Sequence, residues 1–104
     1  MKIIFENIMN KIPNEGTRKI YRHHLLKLNN NTKITNIKFL SDYNAIFDTI
    51  QKYKFNTQKS IYYSILFLLN NLNNSKYDYL YNIYLNQLIN IKTNYIVDNE
   101  NKED

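Results

Sequence analysis

The sequence predicts an all-α protein, an irregular (orthogonal) bundle of four main helices preceded by a short N-terminal helix. Apolar residues recur at spacings of three and four along most of the chain, and no segment shows the sustained alternation of a strand. The chain also has one glycine and one proline, which leaves little of the turn chemistry that a many-stranded fold uses.

The length predicts a single domain, because 104 residues suffice for one hydrophobic core but not for two. Hydrophobic residues make up 43% of the chain, including fifteen isoleucines, which argues against a disordered protein. We therefore expect one helical domain over residues 1–97. A polar, flexible tail without an apolar residue follows over residues 98–104.

The first two helices are predicted by their apolar spacing and their ends. A short peripheral helix over residues 3–12 stops at Pro13, and residues 14–16 read as a turn. A second helix runs over Thr17–Leu28, with Thr17 as its N-cap and the asparagines 29–31 as its left-handed end. The apolar face of this second helix consists of Ile20, Tyr21, His24, Leu25 and Leu28. In the short helix before it, Ile4, Ile8 and Ile12 recur at a spacing of four.

Three further helices follow. Ser41 is the expected cap of a helix to about Tyr53, and Asn56 or Thr57 the cap of a helix through Leu72. Two adjacent apolar rows make that helix the most buried one. The last helix is predicted over residues 77–96. Its inward side chains are Leu80, Tyr84, Leu88, Ile91 and Tyr95. Its tyrosines fit either the core or a face for another subunit.

Basic charge is concentrated in the first two-thirds of the chain. The formal net charge is +5, with eleven Lys/Arg against four Asp/Glu over residues 1–65 and three against five over residues 66–104. This asymmetry favours a surface that faces nucleic acid, although lysine also serves solubility.

Several classes of protein are not supported. The chain has no cysteine, its most apolar run (61–69) is shorter than the roughly 20 residues that span a bilayer, and its charged start is unlike a secretory signal. His23 and His24 point in different directions and lack a third ligand, so we expect no metal and no cofactor. The interpretation is a soluble, intracellular protein with no membrane partner.

Two segments are candidates for contact with DNA. On the second helix, Arg18/Arg22 and Lys19/His23/Lys27 form rows at spacing four that can follow phosphates. The alternative is an ordinary solvated helix face.

The second candidate segment is 56–60, at the start of the most buried helix. Thr57 and Ser60 offer hydroxyls, Lys59 offers a charge, and the helix N-terminus suits a phosphate oxygen. Gln58 is placed to reach a base edge. The alternative is a plain N-cap with polar first-turn residues.

These motifs resemble a known family. The chain carries Thr-Arg-Lys-x-Tyr-x-x-x-Leu-x-x-Leu from Thr17 to Leu28, then Asn-Thr-Gln-Lys-Ser-x-Tyr-x-Ser-Ile from Asn56 to Ile65, then a long Tyr/Leu helix. This order resembles the N-terminal core-binding (SAM-like) domain of tyrosine recombinases, or phage integrases, over about residues 17–95. The Asn-Thr-Gln-Lys-Ser stretch and the Asn-Lys-Glu-Asp tail resemble those of recombinase-like proteins of large DNA viruses and their mobile elements. The asparagine-rich composition is typical of an AT-rich genome and describes the source of the chain, not its function.

The resemblance implies one half of a clamp around double-stranded DNA, serving DNA integration and recombination. Further partners would be a recombinase catalytic domain or other protomers. The implied contacts are Thr17, Arg18, Lys19 and Arg22 on the first clamp helix and Thr57, Lys59, Ser60 and Tyr63 on the third.

The family's catalytic motif is missing from this sequence. Neither histidine has an arginine three residues on, so no His-x-x-Arg exists, and no tyrosine has the cation cage that strand transfer requires. We therefore predict a protein without catalytic residues or enzyme activity, either a fragment or a stand-alone DNA-binding relative. The alternative is a small helical structural or protein-interaction protein, such as a viral or mobile-element accessory protein, that binds through its tyrosine-rich helix.

Overall fold

The protein is an all-α bundle, as the sequence predicts. The computed structural model describes the backbone of residues 2–102 and the side chains of residues 2–95, and this part of the chain contains no strand. Four longer helices form the body of the bundle, and two short helices and a 3₁₀ turn complete it. The elements in chain order are α1 (Phe5–Met9), α2 (Glu15–Leu28), α3 (Lys38–Ser41), α4 (Tyr43–Ile50), α5 (Phe55–Asn70), the 3₁₀ turn (Ser75–Tyr77) and α6 (Asp78–Lys102).

The starts of α2 and α4 differ from the prediction. Asn14 caps α2, since its Oδ1 accepts the Thr17 N–H at 2.9 Å, so the expected turn over 14–16 is the cap and first turn of the helix. Asp42 caps α4 by accepting the Ala45 N–H at 3.4 Å, whereas Ser41 ends α3. In each case several cap-competent residues adjoin, and local sequence does not choose among them.

The start of α5 also comes earlier than expected. The helix begins at Phe55 after Lys54, and no side chain caps it. Asn56 and Thr57 therefore lie in its first turn, and neither is the N-cap. The extended backbone of Lys54, with ψ of 156°, is what ends the preceding turn and sets the helix start.

Asparagine makes the left-handed turns of this fold. Asn30 and Asn31, directly after α2, have φ of 56° and 59°, and Asn73 after α5 has φ of 51°. The Asn31 N–H donates to the Leu26 carbonyl at 2.8 Å and closes the end of α2. The predicted role of the 29–31 run is confirmed, because the short polar side chain of asparagine tolerates this conformation.

The N-terminal segment is more tightly integrated than a peripheral helix. The Ile3 N–H donates to the Thr35 carbonyl at 2.8 Å, so Ile3 is extended and α1 starts only at Phe5. This shift of the helix start turns Ile4 outward, where it is 68% exposed, so Ile4 does not share a face with Ile8 and Ile12. Ile8 and Ile12 are buried as expected.

Helix α5 is the central helix of the bundle, as its two apolar rows predict. It packs against both α2 and α6, and seven of its side chains are buried. Tyr62 of α5 and Tyr84 of α6 are almost completely enclosed, and the ring of Phe47 lies edge-on to Tyr84 at 5.5 Å. The Tyr84 hydroxyl donates to the Leu40 carbonyl at 2.6 Å, which satisfies the one polar atom that this ring brings into the core.

Helix α6 is longer than predicted, because its backbone stays helical to Lys102 and not only to about Ile96. Residues 103 and 104 of the expected tail lie outside the described residues, and the flexibility of residues 98–104 stays a prediction. The tyrosines of this region differ in burial: Tyr84 is in the core, Tyr81 of α6 and Tyr77 of the 3₁₀ turn are half-buried, and Tyr79 is 59% exposed. A role at an interface with another subunit stays a prediction. Tyr95, expected to face inward, is 44% exposed.

Candidate nucleic-acid interface

Helices α2 and α5 lie against each other, and the two predicted DNA-contact segments therefore adjoin. A hydrogen bond of 3.0 Å between His24 Nε2 and Ser60 Oγ joins them. His24 faces α5 and is partly buried, whereas His23 is exposed, as expected from their directions on the helix. Seven of the predicted contact residues nevertheless separate into three groups with different surroundings, and Lys19 lies apart from them.

The first group is formed by the two arginines, which turn towards the N-terminal segment. Arg22 makes a two-pronged contact with Glu6, with Nη2–Oε2 of 2.7 Å and Nε–Oε1 of 3.1 Å. This hydrogen bond to the carboxylate raises the pKa of the Arg22 guanidinium. Arg18 donates from Nε and Nη2 to the Ile12 carbonyl, at 3.2 and 3.1 Å. Both guanidinium groups therefore hold residues 5–12 against α2.

Lys19 has a weaker attachment on the outer face of α2. Its Nζ lies 3.4 Å from Glu15 Oε1, one turn earlier, and both side chains are at least 70% exposed. An exposed pair of this kind contributes little stability, because water screens it and both chains lose freedom. Lys19 therefore remains close to solvent.

The second group lines a cleft of about 230 Å³ between α2, α4 and α5, which we name the α2–α5 cleft. His23, Lys27 and Thr57 are predicted contact residues that reach it, and His24 forms part of its wall. Lys27 Nζ lies 5.1 Å from the centre of the Tyr53 ring, which holds the ammonium group at the cleft. None of the described side chains that line it is a carboxylate. These lining residues are His23, His24, Lys27, Leu28, Thr49, Tyr53, Thr57 and Ile61.

The electrostatics of the α2–α5 cleft favour an anion. Burial lowers the pKa of His24, and the nearby His23 and Lys27 lower it further because they disfavour a second positive charge. A phosphate oxygen in the cleft would meet Lys27 and the Thr57 hydroxyl, and it would stabilise a proton on His24.

The third group lies where α5 faces the C-terminal half of α6. Lys59 Nζ is 4.8 Å from the centre of the Phe55 ring, and Phe55 stacks on Tyr95 with ring centres 3.8 Å apart. Tyr63 is 40% exposed, and Lys92 Nζ lies 5.3 Å from its ring centre. Lys59 and Tyr63 therefore share a surface with residues that the prediction did not include.

Part of this surface could have been predicted from the sequence. Phe55, Lys59 and Tyr63 recur at spacing four on α5, so they share a face. Lys92 and Tyr95 reach them only because α5 and α6 are antiparallel neighbours, and the pairing of distant helices is not readable from local spacing. Gln58, expected to reach a base, donates its amide to the Tyr53 carbonyl at 2.8 Å instead.

A shallow groove of about 430 Å³ lies between α5 and α6 on the side of α2. Tyr63 and Lys92 also border it, beside the half-buried Tyr81 and Leu85 and the exposed Ile89. Apolar side chains of the tyrosine-rich helix α6 are accessible in this groove.

Comparisons with protein-family models, with curated proteins and with solved structures each find no match to this chain. Among the described residues, no helix combines the length and apolar character needed to cross a membrane. The same residues contain no cluster of three or more side chains suited to hold a metal ion.

Proposed function

We propose that the protein is a non-catalytic module that binds double-stranded DNA through its phosphate backbone. The observation that carries this proposal is the α2–α5 cleft, where Lys27, His23 and Thr57 meet without a carboxylate in the lining. A phosphate group needs this combination of a positive charge and hydroxyl or N–H donors.

Contact through the backbone, with little reading of sequence, fits the polar groups of this surface. Lysine binds phosphate as a point charge, without the two-pronged geometry that arginine uses on guanine. The arginines of α2 are bound to Glu6 and to the Ile12 carbonyl, and the amide of Gln58 is bound to Tyr53. Few groups remain for base edges.

The resemblance to the core-binding domain of tyrosine recombinases supports the same proposal at the level of the helices. In that arrangement α2 and α5 would be the helices that lie on the DNA, as half of a clamp. The SAM-like fold, a role in DNA integration or recombination, and a catalytic domain on another chain or segment belong to the proposal. The alternative within this proposal is a DNA-binding protein that acts on its own, without a catalytic domain.

A titration of labelled duplex DNA at two salt concentrations tests this function. We expect binding at low salt and a steep loss as salt rises, because each phosphate contact releases a condensed cation and adds about 0.9 to the slope of log K against log salt. Lys27→Gln should weaken binding and lower the slope by about one. Lys38→Gln is the matched control, since Lys38 is exposed on α3 and does not line the α2–α5 cleft. Failure to bind at low salt would refute the proposal.

A second candidate is a small structural or protein-interaction protein, of the kind that accompanies viruses or mobile elements. The groove bordered by Tyr81, Leu85 and Ile89 favours it, because tyrosine and exposed aliphatic side chains are common at protein interfaces. If the duplex titration fails while Ile89→Asp changes the sedimentation of the protein from that of an assembly to that of a monomer, this candidate takes its place.

A further inference from the structure

The edge formed by α5 and the C-terminal half of α6 carries alternating aromatic rings and lysines. We define the aromatic–lysine strip as Phe55, Lys59 and Tyr63 of α5 with Lys92 and Tyr95 of α6. Each lysine lies over a ring, at 4.8 Å for Lys59 on Phe55 and 5.3 Å for Lys92 on Tyr63. These five residues form one continuous surface, because α5 and α6 pack along their length.

Two rings of the strip are open to solvent. Tyr95 is 44% exposed and Tyr63 is 40% exposed, so a large part of each side chain faces solvent. Tyr95 lies parallel to Phe55, with an angle of 3° between the rings, so the face of Tyr95 towards Phe55 is covered. The stack thus forms a rigid platform for another flat ring, and little freedom is lost when one is added.

Neither lysine of the strip forms an ion pair with a carboxylate among the described side chains. The sequence has no Asp or Glu between Asp48 and Asp78, or between Asp78 and Asp98. Asp78 begins α6 and is about 25 Å from Tyr95 along the axis, at 1.5 Å per residue. Helix α5 carries no Asp or Glu, so Lys59 has no carboxylate on its own helix, and the carboxylates of α6 nearest to Lys92 in sequence are Asp98 and Asp78. An anionic ligand would complement Lys59.

We propose that the aromatic–lysine strip binds single-stranded nucleic acid, with bases on Tyr63 and Tyr95 and phosphates at Lys59 and Lys92. Flat rings together with anions are the chemistry of an unpaired strand, whereas a duplex keeps its base faces stacked inside. The two platforms are about 12 Å apart along α5, as judged from Phe55 and Tyr63, which separates the bases that they bind. A second copy of this chain would bring lysines against lysines and is disfavoured.

This site goes beyond the proposed duplex contact and uses different residues. None of the five strip residues lines the α2–α5 cleft. One protein could therefore hold a duplex by its backbone and an unpaired segment by its bases, as needed wherever strands separate or end.

The test measures fluorescence anisotropy of a labelled oligodeoxyuridylate of about twelve nucleotides, a length within the usual range of such sites. Tyr63→Leu and Tyr95→Leu should each weaken binding about tenfold, because each removes one stacking platform. Tyr95→Phe should bind like the original protein, since the ring remains. Tyr79→Leu is the matched control: Tyr79 is 59% exposed on the same helix but outside the strip, and its variant should not differ. Circular dichroism establishes that each variant is folded.

The outcomes separate the two proposals. Binding of the duplex without the single strand, or equal binding by the Tyr63, Tyr95 and Tyr79 variants, would overturn the strip and leave the duplex site standing. Binding of the single strand without the duplex would support the strip and refute the proposed function. An oligouridylate of the same length should bind within about threefold, because stacking and phosphate charge are shared by RNA and DNA. A much larger preference would contradict recognition by stacking and charge alone.

Discussion

The two halves of α2 carry similar basic side chains in different surroundings. In the N-terminal half, Arg18 and Arg22 are bound to the Ile12 carbonyl and to Glu6. In the C-terminal half, His23 and Lys27 border a cleft without a carboxylate. The comparison teaches that the density of basic residues in a sequence does not locate a binding surface. Guanidinium groups suit carbonyl and carboxylate oxygens of the protein itself as well as those of a ligand.

The largest effect that this comparison predicts is a loss of stability in Arg18→Ala. This variant removes two hydrogen bonds from a charged donor to the Ile12 carbonyl and should lower the free energy of unfolding by about 2 kcal/mol. Urea denaturation measures the change. Lys19→Ala, one residue on, should change stability by less than about 0.5 kcal/mol, because its ion pair is exposed. Equal stability of both variants would mean that Arg18 does not hold the N-terminal segment.

The second effect concerns duplex DNA and the other half of α2. Lys27→Gln should weaken binding about fivefold to tenfold near physiological salt, because it removes one phosphate contact. Lys19→Gln removes the same charge from the outer face and should weaken binding less than twofold. Affinities from anisotropy at one salt concentration make the comparison. A larger loss for Lys19 would move the DNA surface away from the cleft.

A smaller effect is expected when Glu6 is neutralised. Glu6→Gln weakens the contact with Arg22, whose side chain is 30% exposed against 57% for Glu6, so stability should fall by about 0.5 to 1 kcal/mol. Thermal unfolding at low and high salt measures it, and the difference from the unmodified protein should shrink at high salt. A duplex affinity that rises more than about threefold would show that Glu6 competes with DNA phosphates for Arg22.

The smallest effect is a pH dependence of stability from His24. Its pKa is lowered in the fold by burial and by the neighbouring His23 and Lys27, so the unfolded chain binds the proton more readily. The contribution is present in full above the unfolded pKa of about 6.5 and is lost as the pH falls through that value towards the folded pKa. Urea denaturation between about pH 5.5 and 7.5 should show this slope, and His24→Gln should reduce it. If the slope of stability against pH is unchanged in His24→Gln, the pH dependence comes from another group.

Much of the fold is predictable because it depends on local pattern. The two apolar rows of α5 predict its burial, and the asparagines after α2 predict a left-handed turn that φ of 56° and 59° at Asn30 and Asn31 confirms. Helix starts are less predictable, since Asn14 and Thr17 are equally suited to cap α2 and the surrounding structure chooses.

The candidate sites are only partly predictable, because they depend on contacts between distant residues. Local spacing identifies His23, Lys27 and Thr57 as candidates, but the meeting of α2 with α5 brings them to one cleft. The stack of Phe55 on Tyr95 joins residues forty positions apart in the sequence, and no local sequence pattern predicts it. The bond from Arg18 to the Ile12 carbonyl likewise needs the fold of the N-terminal segment.

The central claim is that the α2–α5 cleft, and not the N-terminal half of α2, contacts duplex DNA. Amide chemical-shift mapping by NMR during titration with a short duplex at low salt tests it most directly. The account predicts that the largest shifts cluster at His23, Lys27 and Thr57, with small changes at Arg18 and Arg22. Shifts concentrated at Arg18 and Arg22, or no shifts at low salt, would contradict it.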